Sequence, residues 1–515
     1  MTKNELLMGI DAGTESVRVG LYDLEGNEIG FAATEYPTYR PQHGWAEQDP
    51  RDWWNALVSS TKKALKYADA TKDQIKGISL DATACSVVLC MNDGTPVRRS
   101  LIWMDVRASE EARFISSIKN DALKYNGYGN VSPEWMPCKA LWLKKNEPEH
   151  YHKAEKILEF ADWYMFKLTG QWTGNICNTT TRWYYNRQEG GWPVEFYEAI
   201  GLGDLLEKFP TEIHDLGERI GGLTKEAAEE LGLNEGTPVG QGGVDAFIGL
   251  IGLGVTQPGR VGLITGTSHC IMALSEDEFH APGVFGSFPD AVIPGLQMIE
   301  GGQISTGAII KWFKTNFCKD LEEEAERKGV SVYDLLTPAA QKLPPGSEGL
   351  LVLDYWQGNR TPHVDPDVRG LIYGLSLSHR QEHLFRAIME GIAYGTEHII
   401  RVFKKNNIDV QEISIAGGAT NSPLYLQIHA DVSNLPIYVP NVMQAPSLGS
   451  AILASVGAGY YANIQEAAQN MVHYNKCIEP IQENHERYQA LIEHYMEAYP
   501  LFQSWMKGIT KHASN

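Results

Sequence analysis

LLMGIDAGTESVRVGLY, residues 6–22, is the stretch that decides the fold. It begins with a short apolar run, residues 6–10, and apolar side chains alternate with polar or small ones at residues 17–21. Alternation with a period of two indicates a half-buried strand. A turn around Gly13 separates the two predicted strands, and a turn cluster at residues 23–27 leads into a third strand. The chain therefore opens as consecutive strands joined by short turns.

A second strand-turn-strand unit lies about half a chain later, at residues 260–274. Its turn, residues 265–268, again combines glycine with threonine and serine. The likeness between the two units is weak residue by residue. An internal duplication and two unrelated units therefore both remain open.

Strands alternate with helices along the chain, which indicates an α/β architecture. We predict helices at residues 50–65, 382–401 and 423–432. We predict further strands at residues 76–80, 86–91, 101–103, 413–415 and 437–439. The length of 515 residues is about three times the ~150 residues typical of one domain, so two large domains are expected. The glycine-rich stretch at residues 249–259 is the best boundary, which gives domains 1–253 and 254–515.

The composition excludes several kinds of partner. A net charge of -20 and a pI of about 5.2 argue against nucleic acid, which requires a basic patch, and against a polybasic membrane tether. Residues 1–7 lack the basic and apolar pattern of a secretory signal. The 7 cysteines form no C-x-x-C pair, which is typical of reduced thiols in the cytoplasm.

Two turns and one glycine pair offer groups for a nucleotide. The first turn, residues 11–18, places Gly13 where the backbone can approach an oxyanion, with hydroxyls at Thr14 and Ser16 and a guanidinium at Arg18. Asp11 could hold Mg²⁺ through water. The second turn contains Gly266, Thr267 and Ser268, and Gly417-Gly418-Ala419 after a strand leaves room for an adenine ring. Each of these turns is also compatible with an ordinary hairpin or strand-to-helix connection.

Asp245 stands in the segment QGGVDA, residues 241–246, among glycines and apolar residues. A carboxylate in such surroundings is unfavourable unless it is used or paired. It suits a general base that accepts a proton from a sugar hydroxyl. The alternative is a helix N-cap.

Four further segments make the chain recognisable. The most specific is GLIYGL at residues 370–375, followed after seven residues by HLFRAIME at residues 383–390. GWAEQDP at residues 44–50, WMDVR at residues 103–107 and STGA at residues 305–308 follow the same order as in known proteins. On these segments the chain resembles the FGGY family of carbohydrate kinases along essentially its full length.

The resemblance implies two actin-like (ribonuclease H-like) ATPase domains with an interdomain cleft, sugar on the first and ATP with Mg²⁺ on the second. It also implies that Asp245 is the general base and that Asp11 is the metal-side carboxylate. The implied nucleotide-binding residues are Thr14, Ser16, Arg18, Gly266, Thr267, Gly307, Lys311, Gly418, Ala419 and Ser422.

Within the family, three segments favour a ribulose-type pentulose or related polyol, phosphorylated at a terminal hydroxyl. LDATACS at residues 80–86, EGGQ at residues 300–303 and YWQGNRTP at residues 355–362 resemble segments of ribulokinases. The implied sugar-pocket residues are Ala84, Lys139, Asp245 and Glu300. Xylulokinase, glycerol- or erythritol-type and gluconate-type kinases remain alternatives.

Three other classes of protein are alternatives to the kinase. An actin- or chaperone-like ATPase without a sugar would share the phosphate turns but would not need Asp245 among glycines. A dehydrogenase lacks support because no G-x-G-x-x-G in a βαβ setting is found. A catalytically inactive sugar-binding regulator is disfavoured by the presence of Asp11, Thr14 and Asp245. The oligomeric state stays open, a homodimer included.

Overall fold

The computed structural model describes residues 5–127, 131–281 and 283–513. The first half contains the strands β1 Leu6–Ala12, β2 Ser16–Tyr22, β3 Glu28–Glu35, β4 Glu47–Gln48, β5 Ile75–Ala82, β6 Val87–Cys90, β7 Ser100–Leu101, β8 Lys156–Glu159, β9 Gly174–Asn175, β10 Ile213–His214, β11 Arg219–Gly222, β12 Pro238–Gly240 and β13 Gly243–Val244. Its helices are α1 Pro50–Tyr67, α2 Ser109–Ser117, α3 Met136–Asn146, α4 Pro148–Lys153, α5 Phe160–Thr169, α6 Ile176–Arg182, α7 Val194–Ala199, α8 Lys225–Leu231 and α9 Asp245–Gly252.

The second half contains a comparable set of elements. Its strands are β14 Gly259–Thr265, β15 His269–Ser275, β16 Phe285–Pro289, β17 Gln297–Gln303, β18 Leu351–Leu353, β19 Leu371–Tyr373, β20 Val410–Gly417, β21 Ile437–Pro440 and β22 Tyr474–Ile478. Its helices are α10 Gly307–Phe317, α11 Lys319–Lys328, α12 Val332–Gln341, α13 Gln381–Lys405, α14 Pro423–Ser433, α15 Ala445–Gly457, α16 Ile464–Met471 and α17 Gln482–Ala513.

The two large sheets share one plan. The first has the strand order β11-β12-β5-β1-β2-β3, and the second has the order β16-β17-β15-β14-β20-β21-β22. In each, an antiparallel pair (β1 with β2, β14 with β15) is continued by an antiparallel neighbour on one side. On the other side the first strand of the pair has a parallel partner, β5 or β20. The common strand order supports the alternative that the two units are copies of one architecture.

The chain returns to the first sheet near its end. Helix α15 packs against β1, β5 and α9, and glycines permit its close approach. A Cβ on Gly9 would overlap the carbonyl oxygen of Ser447, and one on Gly252 would overlap that of Ala445. Residues 445–457 therefore help to build the core of the first sheet although they follow the second sheet in sequence.

The strands and helices predicted from the sequence are all present, with small differences at their ends. The predicted strand at residues 101–103 is shorter, because the backbone turns after β7 and the N–H of Asp105 bonds the carbonyl of Ile102 at 2.9 Å. Within the described residues, no helix combines the length and apolar character needed to span a membrane.

Candidate active site

Three aspartates lie together where strands of the first sheet end. Asp11 of β1 and Asp81 of β5 are partners in a parallel register, so both side chains project from the same face. Gly243 of β13 pairs in turn with Asp81. Asp245 begins helix α9 two residues later, at the same edge of the sheet. We call this edge, with Asp11, Asp81 and Asp245, the aspartate edge. The topology thus brings together residues that are 70 and more positions apart in the sequence.

Asp11 and Asp81 are buried and differ in their partners. Arg18, opposite Asp11 in β2, donates from Nη1 to its Oδ2 at 2.8 Å. Burial raises the pKa of Asp11, and the Arg18 guanidinium offsets part of that rise. Asp81 accepts a hydrogen bond from Ser450 at 2.7 Å, while its other oxygen receives no donor from the described residues. Burial and the charge of Asp11 raise the pKa of Asp81 well above its ordinary value.

Asp245 is half-buried at the first turn of α9. The backbone N–H of Ala246 donates to its Oδ1 at 2.7 Å. Burial, and then the negative charge of Asp11, raise the pKa of Asp245 to about 7. A carboxylate with a pKa near neutrality is suited to accept a proton from a hydroxyl and release it again.

An ion pair between the two halves of the chain forms another wall of this region. Arg182 at the end of α6 donates from Nη2 to Oε2 of Glu300 in β17 at 2.9 Å. Both side chains are largely buried, at 11% exposure each. The Arg182 guanidinium also lies 5.5 Å from the ring centre of Phe247, two residues beyond Asp245. Glu300 is thereby held near the start of α9.

Lys139, which the sequence predicts to line the sugar pocket, has an interior position in the structure. It is fully buried in α3, and its Nζ donates to the carbonyls of Cys85 at 2.6 Å and Ile102 at 2.7 Å. Because α3 packs beneath the turn that follows β5, the ammonium bonds the inner side of this turn and offers no surface to a ligand. Ala84, in the same turn, is half-buried on the edge that carries Asp81. That Lys139 lines a sugar pocket stays a prediction, and in this structure its side chain has no exposed surface.

A cavity of about 960 Å³ opens on the second sheet. Its lining contains seven of the ten predicted nucleotide-binding residues, namely Gly266, Thr267, Gly307, Lys311, Gly418, Ala419 and Ser422. The turn after β14 is tied to the start of α10, because the N–H groups of Thr306 and Ala308 bond the carbonyl of Thr267 at 3.0 and 3.2 Å. A turn at a helix N-terminus is a favourable site for phosphate.

The remaining three predicted nucleotide-binding residues belong to the first sheet. Thr14, Ser16 and Arg18 lie in the turn between β1 and β2 and in β2 itself. The indole N–H of Trp103 donates to the hydroxyl of Thr14 at 2.8 Å. These residues lie at the aspartate edge and are not part of the cavity lining.

Two residues of this site were not identified from the sequence. Asp81 was part of a recognised segment, but only its pairing with Asp11 reveals a second buried carboxylate. Arg182 stands in an unremarked helix and gains its place through Glu300. No local pattern distinguishes it from a surface arginine.

A divalent cation fits the aspartate edge only with help from water and phosphate. No cluster of three or more His, Cys, Asp or Glu placed to hold an ion occurs in residues 5–127, 131–281 and 283–513. Mg²⁺ is commonly bound by one or two carboxylates together with water and substrate phosphates. The carboxylates of Asp11 and Asp245 are compatible with that mode.

Comparisons with known proteins agree with this architecture. The models of the FGGY family of carbohydrate kinases match residues 6–252 (N-terminal domain) and 261–458 (C-terminal domain). The ribulokinase of Geobacillus thermodenitrificans (strain NG80-2) is 35% identical over 531 residues, covering 96% of this chain and 94% of that protein. Two solved structures are similar in fold: the xylulose kinase of Rhodospirillum rubrum (TM-score 0.87, 24% identity, 98% of this chain and 100% of that chain) and the gluconate kinase of Lactobacillus acidophilus (TM-score 0.84, 24% identity, 97% and 98%). The chain belongs to the FGGY family of carbohydrate kinases, and it is a phosphotransferase that acts on a sugar hydroxyl with the two-domain actin-like ATPase fold.

Proposed function

We propose that the protein is an ATP-dependent pentulose kinase, with a ribulose-type sugar as its substrate, and that it phosphorylates a terminal hydroxyl. The observation that carries this proposal is Asp245, half-buried beside Asp11, with a pKa raised to about 7. The 35% identity to a ribulokinase over nearly the full length supports the choice of sugar.

The division of labour follows the two halves of the chain. Residues 1–253 form the sugar-binding domain, supplemented by helix α15, and residues 254–515 form the nucleotide-binding domain. ATP lies in the cavity of the second sheet, with adenosine against Gly418, Ala419 and Ser422 and the phosphates against the turn at Gly266 and Thr267. The exposed Lys311 on α10 supplies positive charge at the mouth of this cavity.

The terminal phosphate reaches the aspartate edge, where Thr14, Ser16 and Arg18 donate hydrogen bonds to it. Asp11 would hold Mg²⁺ there, mainly through water. The ion neutralises charge on the phosphates when it is bound. Gly307 lets the start of α10 approach the Gly266 carbonyl, which a Cβ would overlap.

The sugar lies between the two halves. Ala84 leaves room on one wall, and the Arg182–Glu300 pair offers donors and acceptors for a row of hydroxyls. Lys139 acts indirectly in this proposal, because its two hydrogen bonds fix the turn that carries Ala84.

The reaction follows from these positions. Asp245 accepts the proton of the sugar hydroxyl, whose oxygen attacks the γ-phosphorus while ADP leaves. Residues of the two phosphate turns hold the oxygens of the transferred group in place, as such transfers require positioning above all. Closure of the two domains excludes water, which would otherwise compete with the sugar.

An ADP-release assay over a panel of ketoses and polyols tests the proposal. One of the two enantiomers of ribulose should give the highest kcat/KM, and glycerol should be poor. If xylulose, glycerol, erythritol or gluconate is the best substrate, the sugar is wrong. If ATP hydrolysis does not respond to any compound of the panel, the actin-like ATPase alternative replaces the kinase.

The 7 free cysteines are in keeping with a cytoplasmic enzyme.

A further inference from the structure

Arg360 has no role in the site described so far. It lies in the segment GNRT, residues 358–361, after β18. Its side chain is half-buried, yet it makes no hydrogen bond or ion pair with any residue in the described part of the chain. The two arginines nearest the site differ in this respect, because Arg18 pairs with Asp11 and Arg182 with Glu300.

The Arg360 guanidinium lies against β17 on the side of the active site. A Cβ built on Gly302 would be 3.5 Å from its Cδ and 3.6 Å from its Nη1. Gly302 is two residues from Glu300, so both face the same side of the strand. The backbone of this segment is fixed to the strand, because the N–H of Gly302 donates to the hydroxyl of Thr361 at 3.2 Å.

The surroundings of Cys270 show that Arg360 lies near Glu300 and Asp245. It is the partner of Gly302 in β15, and its thiol lies 3.9 Å from Oε1 of Glu300. Burial raises the pKa of this thiol most, the charges of Glu300 and Asp245 raise it further, and the charge of Arg360 lowers it. The guanidinium therefore shares its surroundings with the base and with the sugar-side carboxylate.

The predicted phosphate-binding turn, residues 265–268, lies close to Cys270. Thr267 precedes Cys270 by three residues along the turn and β15, a distance of at most about 10 Å at ~3.3 Å per residue. Arg360 thus lies against the strand pair that carries both the end of this turn and Glu300, the proposed sugar-side carboxylate.

A half-buried cation without a counter-ion is unfavourable, and the reaction itself supplies one anion. A neutral sugar cannot neutralise the guanidinium, whereas the phosphoryl group can. Arginine also presents a planar fork of N–H groups that matches phosphate oxygens in a bidentate manner.

We propose that Arg360 is a catalytic residue that binds the phosphoryl group while it passes from ATP to the sugar. This inference rests on the proposed kinase function. The bond between the γ-phosphorus and the bridging oxygen breaks, and its electron pair leaves with ADP. The sugar oxygen forms the new bond to phosphorus, and its proton goes to Asp245. Arg360 keeps its own protons and donates hydrogen bonds to the equatorial oxygens, where charge must be stabilised.

The test uses Arg360→Met, Arg360→Ala and Arg360→Lys in the full chain, with the best sugar of the wild-type panel. Arg113→Met is the matched control, because Arg113 is exposed on α2 and also makes no side-chain bond to a described residue. We expect kcat of the Met variant to fall by about 10²–10³-fold, the loss typical of removing one transition-state donor. KM for the sugar should stay close to the wild-type value. Lysine should restore part of kcat, and added guanidinium ions should restore part of the activity of the Ala variant.

Three results would overturn the inference. In the first, the Met variant keeps full kcat. In the second, KM for the sugar rises while kcat is kept, which would assign Arg360 to a sugar hydroxyl. In the third, neither lysine nor guanidinium restores any activity although thermal unfolding matches the wild type. A wild-type protein that phosphorylates no sugar would instead refute the proposed function first, and the inference with it.

Discussion

Replacing Asp245 by asparagine should lower the activity of the protein and raise its stability. Asparagine keeps the size of the side chain but cannot accept the hydroxyl proton. A positioned general base contributes about 10²–10⁴-fold to the rate, so kcat should fall within that range. For the wild type, kcat/KM should decrease as the pH falls through about 7, because the pKa of Asp245 is raised to that value and only the ionised form is a base.

The same substitution should stabilise the folded protein at alkaline pH. A rise of the pKa from 3.8 to about 7 corresponds to about 4 kcal/mol at 1.36 kcal/mol per unit. Asp245 is partly exposed, which lowers this figure, and we expect about 1–2 kcal/mol. Since the folded state binds the proton more tightly than the unfolded state, wild-type stability decreases as the pH rises from about 4 to about 7. Asparagine lacks this titration.

Thermal unfolding at pH 5 and pH 8 measures the effect. The variant should gain about 2–8 °C in Tm at pH 8, given the usual 2–4 °C per kcal/mol for domains of this size, and less than half of that at pH 5. Asp121→Asn, at an exposed position of the first domain, serves as the control for the loss of one charge. Nearly full turnover by the variant would refute the role as base. An equal gain at both pH values would refute the electrostatic reasoning.

Three other predictions concern Glu300, Lys139 and Gly307. Glu300→Gln should raise KM for the sugar and leave KM for ATP unchanged, as measured by steady-state kinetics; a change confined to ATP would contradict the assignment. Lys139→Met should lower stability by about 1–3 kcal/mol in denaturant unfolding, because it leaves two buried carbonyls without a donor; an unchanged midpoint would show that these bonds contribute little. Gly307→Ala should weaken ATP binding in calorimetry, since the new Cβ meets the Gly266 carbonyl, whereas Gly508→Ala, on α17 with open space around it, should not; equal affinities of the two variants would contradict this account.

Much of the fold could be predicted because its signals are local. The alternation at residues 17–21 and the turn at Gly13 depend only on neighbours in the chain, and β1 and β2 follow them closely. Asp245 was recognisable as well, because a carboxylate among glycines and apolar residues is unusual whatever the fold. The cavity on the second sheet gathers seven of the predicted residues for the same reason, since six of them lie in a glycine-containing or helix-starting turn and Lys311 follows Gly307 within α10.

The sequence by itself determined the family and the alternation of strands and helices, and it predicts the base and the phosphate turns, because each is carried by a contiguous stretch. Only the tertiary structure decided which distant groups meet. It paired Asp81 with Asp11, placed Ser450 of α15 beside Asp81, joined Arg182 to Glu300, and buried the ammonium of Lys139 against the carbonyls of Cys85 and Ile102. Such contacts depend on sheet register and on the packing of elements hundreds of residues apart. A side chain's partners there are set by which strands are adjacent, and no local pattern in the chain contains that information.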